Sequence, residues 1–200
     1  MTSILTGDII NSRESAPNEW LTALKETLST YGKQPVAWEI YRGDSFQLEV
    51  VPEQALEAAT LIKATIKTFK AIDVRIAIGL GEKTYTSDKI TESNGSAFIN
   101  SGECFETMKN STLALKSEHE DFDTTLNLML ELAQLTMNSW SPTSSKIIKA
   151  SLNNPELNQK QIAKLLGKSQ SNISEGLKRG GFDEISKMLT YYKTRVVNNL

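Results

Sequence analysis

Two aspartates in this 200-residue chain each follow a glycine beside a run of β-formers: Asp8 in TSILTGDII and Asp44 in VAWEIYRGDSFQLEV. Hard divalent cations such as Mg²⁺ or Mn²⁺ take oxygen ligands, and two carboxylates at one spot suit a cation that in turn holds a phosphate. That chemistry requires the two strands to be neighbours in one sheet. The alternative makes Asp44 a turn residue and Asp8 the cap of the first helix. Cys104 and His119 are the only cysteine and histidine, which excludes an intrachain disulfide, a Cys-based zinc site and His-based triads. Cys104 lies in an amphipathic pattern and reads as buried rather than nucleophilic, and His119 as an exposed loop residue. Gly79-Leu80-Gly81 lacks the third glycine of a dinucleotide-binding loop.

A second group of chemistry-bearing residues lies in the tail, LNQKQIAKLLGKSQSNISEGL from Leu157 to Leu177. Ile162, Ala163, Leu166, Ile173 and Leu177 supply an apolar stripe, and Gly167 stands where two helices would cross tightly. The spacing of Ala163, Gly167, Ile173 and Leu177 resembles that of helix-turn-helix DNA-binding domains, although Lys168 takes a place that is usually apolar. The resemblance implies that Ser169, Gln170, Ser171 and Asn172 open a recognition helix facing the major groove. The amides of Gln170 and Asn172 suit adenine edges. Lys164, Lys168, Lys178 and Arg179 would meet phosphates, which positions a protein without reading sequence. Glu175 on the same helix opposes that use, and the alternative is a structural helical hairpin.

The elements that must position these groups follow from periodicity. Trp38, Ile40, Phe46, Leu48 and Val50 alternate with polar neighbours about Arg42-Gly43-Asp44 and predict a β-hairpin with a carboxylate at its tip. Trp20, Leu21, Leu24, Leu28 and Tyr31 recur at helical spacing, with Gly32 as the residue after the helix. Pro52 opens a second helix with Leu56, Ala59, Ile62, Ile66 and Phe69 on its buried face. Asp73 to Glu82 reads as a buried strand ending in glycines. The resulting order of strand, helix, two strands, helix and strand predicts an α+β domain of ferredoxin-like βαββαβ pattern. Residues 83 to 94 read as a flexible polar loop, Gly95 to Met108 as a helix and Thr112 to Leu115 as an edge strand. From Asp121 a long helix carries Phe122, Leu126, Met129, Ala133, Met137 and Trp140 as a seam, facing either its own sheet or a partner helix in a dimer. Ser141-Pro142-Thr143-Ser144-Ser145 breaks it. The expected organisation is an α+β domain over 1–120, a connecting helix over 121–140 and a small all-α helix-turn-helix domain over 141–200.

Composition bounds the function. A chain 39% apolar and 23% charged buries a core without staples. Without a basic segment leading an apolar core, and without about 20 consecutive apolar residues, it is expected to be cytoplasmic with no membrane partner. Residues 1–140 carry 12 Lys and Arg against 20 Asp and Glu, a net of −8, whereas residues 141–200 carry 10 against 4, a net of +6. An acidic front with a basic tail points the tail at nucleic acid.

TGDII, YRGDSF, VRIAIGLGE and NGSAFI, in that order, resemble the core of class III nucleotidyl cyclases. Joined to a terminal helix-turn-helix and the phrase LKRGGFDEI, they resemble the SatD-like family. The cyclase resemblance implies that Asp8 and Asp44 bind Mg²⁺ or Mn²⁺ together with the carbonyl of Ile9. It implies also that amides of Ile10, Asn11 and Ser12, entering the first helix, cradle the phosphates of a nucleotide beside Gly43. Ile40 stands where that family has its purine-reading lysine. Glu103 or Cys104, depending on register, stands in place of the transition-state arginine, with Ile99 or Asn100 at the ribose position. An arginine in such a role is worth about 10³–10⁵ in rate in the GTPase case. The expectation is therefore a DNA-binding transcription regulator, a homodimer, with a nucleotide- and metal-sensing domain rather than an efficient enzyme. An active nucleotidyl cyclase in which Arg42 or Arg13 substitutes, and a structural dimerisation platform carrying a DNA-binding tail, are the alternatives.

Overall fold

The computed structural model describes residues 1–198. Its strands are β1 (Thr2–Ile10), β2 (Trp38–Tyr41), β3 (Ser45–Val50), β4 (Asp73–Gly81) and β5 (Leu113–Lys116). They form one five-stranded sheet ordered β2-β3-β1-β4-β5, antiparallel except where β5 runs parallel to β4. α1 (Pro17–Ser29) and α2 (Ala55–Ile66) connect the first four strands in the expected order. α3 (Ser96–Thr107) returns the chain from β4 to β5. α4 (Glu120–Met137), α5 (Pro142–Asn153), α6 (Gln159–Leu166), α7 (Gln170–Arg179) and α8 (Phe182–Val197) complete an α+β chain of eight described helices.

Alternation along the strands creates two faces of opposite character. Leu5 and Ile9 of β1, Phe46, Leu48 and Val50 of β3, and Val74, Ile76, Ile78 and Leu80 of β4 are buried in one core with Leu24 and Leu28 of α1 and Leu56, Ile62 and Ile66 of α2. Each such side chain contributes roughly 1.5–3 kcal/mol through burial. Gly7 shares that face because a Cβ there would run into the Phe46 ring. On the other face α3 lies against β4 and β1. A side chain at Gly79 would meet the Ala97 carbonyl and the Ser101 amide, so the glycines of this strand serve helix packing.

The tail is built into the same core. Ser141 caps α5 by accepting from the Ser144 amide, and Pro142 occupies its first turn. Ile147 and Ile148 of α5 join the front core together with Ile162, Ile173, Leu177, Ile185 and Tyr192. The Tyr192 hydroxyl donates to the Pro52 carbonyl at 2.6 Å, and Trp140 Nε1 to the Gly180 carbonyl at 2.9 Å. The break at Ser141 therefore changes helix direction within one apolar core.

Several local expectations are revised. α1 ends at Ser29, so Gly32 lies beyond the cap and instead accepts from Trp38 Nε1 at 3.0 Å. Residues 83–94 are pinned: Tyr85 bridges to Asn94, and Ile90, fully buried, donates its amide to the Pro35 carbonyl. At the hairpin tip the positive φ values fall on Arg42 and Gly43. The α4 seam, by contrast, follows the first of its two readings: Phe122, Leu126 and Met137 are buried in the chain's own core, with Met129 and Ala133 partly buried beside them.

Candidate functional site

The register places polar side chains in a row on the sheet face opposite α1 and α2. Tyr41 pairs with Ser45, Ser45 with Asp8, and Asp8 with Arg75. The Ser45 hydroxyl donates to Asp8 Oδ1 at 3.1 Å. Asp44, one residue before Ser45, accepts from the Ser12 hydroxyl at 2.8 Å, and its carbonyl accepts from the Ile9 amide at 3.1 Å. The two aspartates thus meet at the end of β1. They open onto a cleft of about 590 Å³ whose lining includes Asp8, Ile9, Ile10, Asn11, Ser12 and Asp44. Gly43 stands at the hairpin tip, outside that lining.

Burial is the largest influence on Asp8 and pushes its carboxyl above the usual range. The Ser45 hydrogen bond opposes this, the Asp44 charge adds to it, and Arg75 lowers it. A carboxylate desolvated beside a second carboxylate gains from a bound cation. Mg²⁺ is usually held by one or two carboxylates plus phosphate and water, so a pair of aspartates suits it. Among the described residues no group of three or more acidic, histidine or cysteine side chains is placed to hold a metal ion. A cation here would take its remaining ligands from the Ile9 carbonyl, water or a phosphate.

The phosphate cradle differs from expectation. Ile10, Asn11 and Ser12 do not enter a long helix, because α1 starts only at Pro17 and a single 3-10 turn over Ser12–Glu14 intervenes. Asn11 adopts a left-handed conformation (φ 57°) to turn the chain out of β1, and its side-chain Nδ2 donates to the Ala71 carbonyl. Nor does Asp8 cap a helix, since Ala16 stands at that position of α1 and makes no side-chain cap.

The cleft's cations are Arg13, Arg75 and Lys109. Arg75 was not among the residues expected here. Its guanidinium lies 4.3 Å from the centroid of the Phe105 ring on α3, opposite Asp8 in register. The signal for it was present in VRIAIGLG, where Arg75 is the one charged residue within an otherwise apolar run. Lys109, Asn110, Ser111 and Thr112 form the far wall, with Lys109 also at positive φ. Thr112 anchors that wall through its hydroxyl, which joins Gln134 at 3.0 Å, Asn138 at 2.7 Å and the buried ammonium of Lys63 at 3.1 Å.

The positions considered for cyclase chemistry on α3 are used structurally. The Asn100 amide donates to the Leu80 carbonyl at 2.8 Å, Ile99 is exposed and Glu103 pairs with Lys116. Cys104 packs beside Ala77 and Met108, and burial pushes its thiol up to about 12. Ile40 packs against the core on the face turned away from Asp8.

In the tail, α6 opens with a reciprocal capping box between Asn158 and Gln161 and closes at Gly167, φ 61°. The Lys168 amide bonds the Ala163 carbonyl, and the Gly167 amide bonds that of Lys164, which is a Schellman ending. Ser169 then caps α7 by accepting from the Asn172 amide at 3.2 Å. Gly167 has open space around it, so its backbone angle demands glycine. Close approach of α5 and α7 depends instead on Gly176, where a Cβ would strike Ile147. Ile162, Ala163, Ile173 and Leu177 point inward, while Lys164, Lys168, Ser169, Gln170, Ser171, Asn172, Lys178 and Arg179 are all exposed. Glu175 lies 3.6 Å from Arg179 across one helical turn.

Comparison with known proteins adds one relationship: the model of the SatD family matches residues 2–198. No curated protein and no solved structure matches the chain. Among the described residues no helix is long and apolar enough to cross a membrane.

Proposed function

The chain belongs to the SatD family, and from that premise and its two polar sites we propose that it is a DNA-binding transcription regulator that senses a nucleotide held with Mg²⁺ or Mn²⁺ between Asp8 and Asp44. The antiparallel order β2-β3-β1-β4, with α1 and α2 on one face, supports reading residues 1–120 as a ferredoxin-like, nucleotidyl cyclase-like unit. The Schellman ending of α6, the three-residue link and the capped start of α7 support reading the tail as a helix-turn-helix.

The observation that carries the reading is the two-sidedness of α6 and α7. Ile162, Ala163, Ile173 and Leu177 are buried and Leu166 is half-buried, whereas all eight side chains suited to DNA are exposed, Lys178 and Arg179 at the far end of α7 where it borders the α4–α8 groove. α7 is ten residues long, about 15 Å, enough to lie along a major groove with Gln170 and Asn172 at the leading end. Lys164 and Lys168 then approach the flanking phosphates. Fluorescence anisotropy with labelled duplex DNA at several salt concentrations tests this. Log affinity is expected to fall linearly with log salt, with Lys164→Ala and Lys168→Ala each reducing the slope by about 1. Binding indifferent to salt contradicts it.

A second reading, phosphoryl transfer, is favoured by Arg75. This residue puts a guanidinium beside the paired aspartates, which the α3 positions do not. Incubation with each nucleoside triphosphate and Mn²⁺, followed by chromatography, separates the readings. A sensor leaves the triphosphate intact, whereas an enzyme releases cyclic nucleotide and pyrophosphate and loses that activity in Asp8→Ala.

A further inference from the structure

α4 has an outward stripe that the chain itself leaves uncovered. Leu128, Leu132 and Leu135 are 59%, 62% and 77% exposed, and steps of four and three residues align them on one side of the helix. This stripe is separate from the inward seam of Phe122, Leu126, Leu130 and Met137. A contiguous exposed apolar row of this kind, beside a groove, has the character of an interaction surface.

The surroundings of the stripe indicate what covers it. On one flank α4 and α8 leave a groove of about 730 Å³, with Met129, Ala133, Ile185 and Met188 in its walls and Leu132 on its rim. On the other flank Leu135 borders a shallower depression with Asn110, Ser111 and the exposed Glu131, which marks the polar edge of the stripe. A ridge beside a groove on one face is self-complementary, because a two-fold rotation seats each ridge in the other copy's groove. Charge favours the same partner. The first turn of α4 carries exposed Glu120 and Asp121. At the opposite end, where Gly181 adjoins Thr136, the groove is bordered by Lys178 and Arg179, with Lys187 and one acid, Glu184, further along. Antiparallel packing brings the acidic turn of each copy to the basic end of the other.

We propose that the α4–α8 face is a homodimer interface between two antiparallel copies of this chain. α4 is 18 residues, about 27 Å. With the neighbouring groove it offers a footprint of roughly 500 Å² per copy, the size of a weak, reversible interface. Lys178 and Arg179 close α7, so the interface also fixes the separation of the two α7 helices. The inference is independent of whether the cleft binds a nucleotide.

Sedimentation equilibrium of the full chain from about 1 to about 100 µM tests it. The wild type is expected to pass from monomer to dimer mass over this range. The double variant Leu132→Asp, Leu135→Asp stays monomeric and cooperatively folded, with only a small drop in Tm relative to the wild type at about 1 µM, because both side chains are exposed. Lys178→Glu alone weakens association about tenfold, and adding Asp121→Lys restores it. A wild type that is monomeric throughout overturns the proposal. So does a dimer that survives both leucine changes, or a charge exchange that fails to restore association.

Discussion

Lys63 sits behind the far wall of the cleft, 1% exposed, with its ammonium donating to Asp73 at 2.8 Å and to Thr112 at 3.1 Å. Burial outweighs the attraction of Asp73 and lowers its pKa from 10.5 to about 8. Below pH 8 both folded and unfolded chains hold the proton, and the folded one bears the full desolvation cost. Between pH 8 and 10.5 the unfolded chain binds more protons, so stability rises with pH through that window. At 1.36 kcal/mol per unit the whole window is worth about 3 kcal/mol, of which about 2–3 kcal/mol is realised by pH 10. Lys63→Met removes the titration while keeping the apolar stem. Asp73 retains Lys67 at 3.1 Å and the Val74 amide at 2.7 Å, and Thr112 retains Gln134 and Asn138. Urea unfolding at pH 7, 8, 9 and 10 is the assay. The wild type should gain about 2–3 kcal/mol on the variant across this range. Tyr31 and Tyr192, both raised by burial, titrate alike in the two proteins and cancel. Parallel pH curves would refute the reasoning, since they would mean that Lys63 bears no desolvation cost.

Three further outcomes follow from single residues. Gly167→Ala should cost about 1 kcal/mol and Gly167→Asn less, read by urea unfolding, because the left-handed angle and not lack of space demands glycine there. Gly7→Ala should cost about 1–3 kcal/mol in the same assay, since the new methyl displaces the fully buried Phe46 ring. Asp8→Asn should stabilise the metal-free protein at neutral pH, seen as a higher Tm. With its folded pKa above the unfolded one, Asp8 makes metal-free stability fall as pH rises through the carboxylate range, a fall that the variant lacks and that Mn²⁺ reverses in the wild type.

Local pattern carried much of this architecture. Alternation about Gly43 located the hairpin, and Gly-Asp steps on two strands marked Asp8 and Asp44, which the β1–β3 register makes neighbours. The turn at Gly167 and the inward residues of α6 and α7 were legible because an apolar stripe and a left-handed cap are local features. What escaped depends on tertiary register. Arg75 belongs to the cleft only because β4 pairs with β1 so as to set it opposite Asp8. The Lys109–Thr112 wall is held by bonds to α4 and α2 that no short window contains. α4 carries two apolar rows at helical spacing, and spacing alone cannot say which one meets the chain's own core. The polarity of residues 83–94 masked Ile90, whose fully buried side chain helps to tie the segment down.

The central claim is that the Asp8–Asp44 cleft and the α6–α7 pair serve one regulatory function. Its most direct measurement is the affinity for duplex DNA with and without Mn²⁺ and each common nucleoside triphosphate, in the wild type and in Asp44→Asn. The account predicts salt-sensitive binding in both proteins, and an affinity that one nucleotide shifts in the wild type but leaves unchanged in the variant. Affinity that is the same in all these conditions, or no binding to DNA even at low salt, would contradict it.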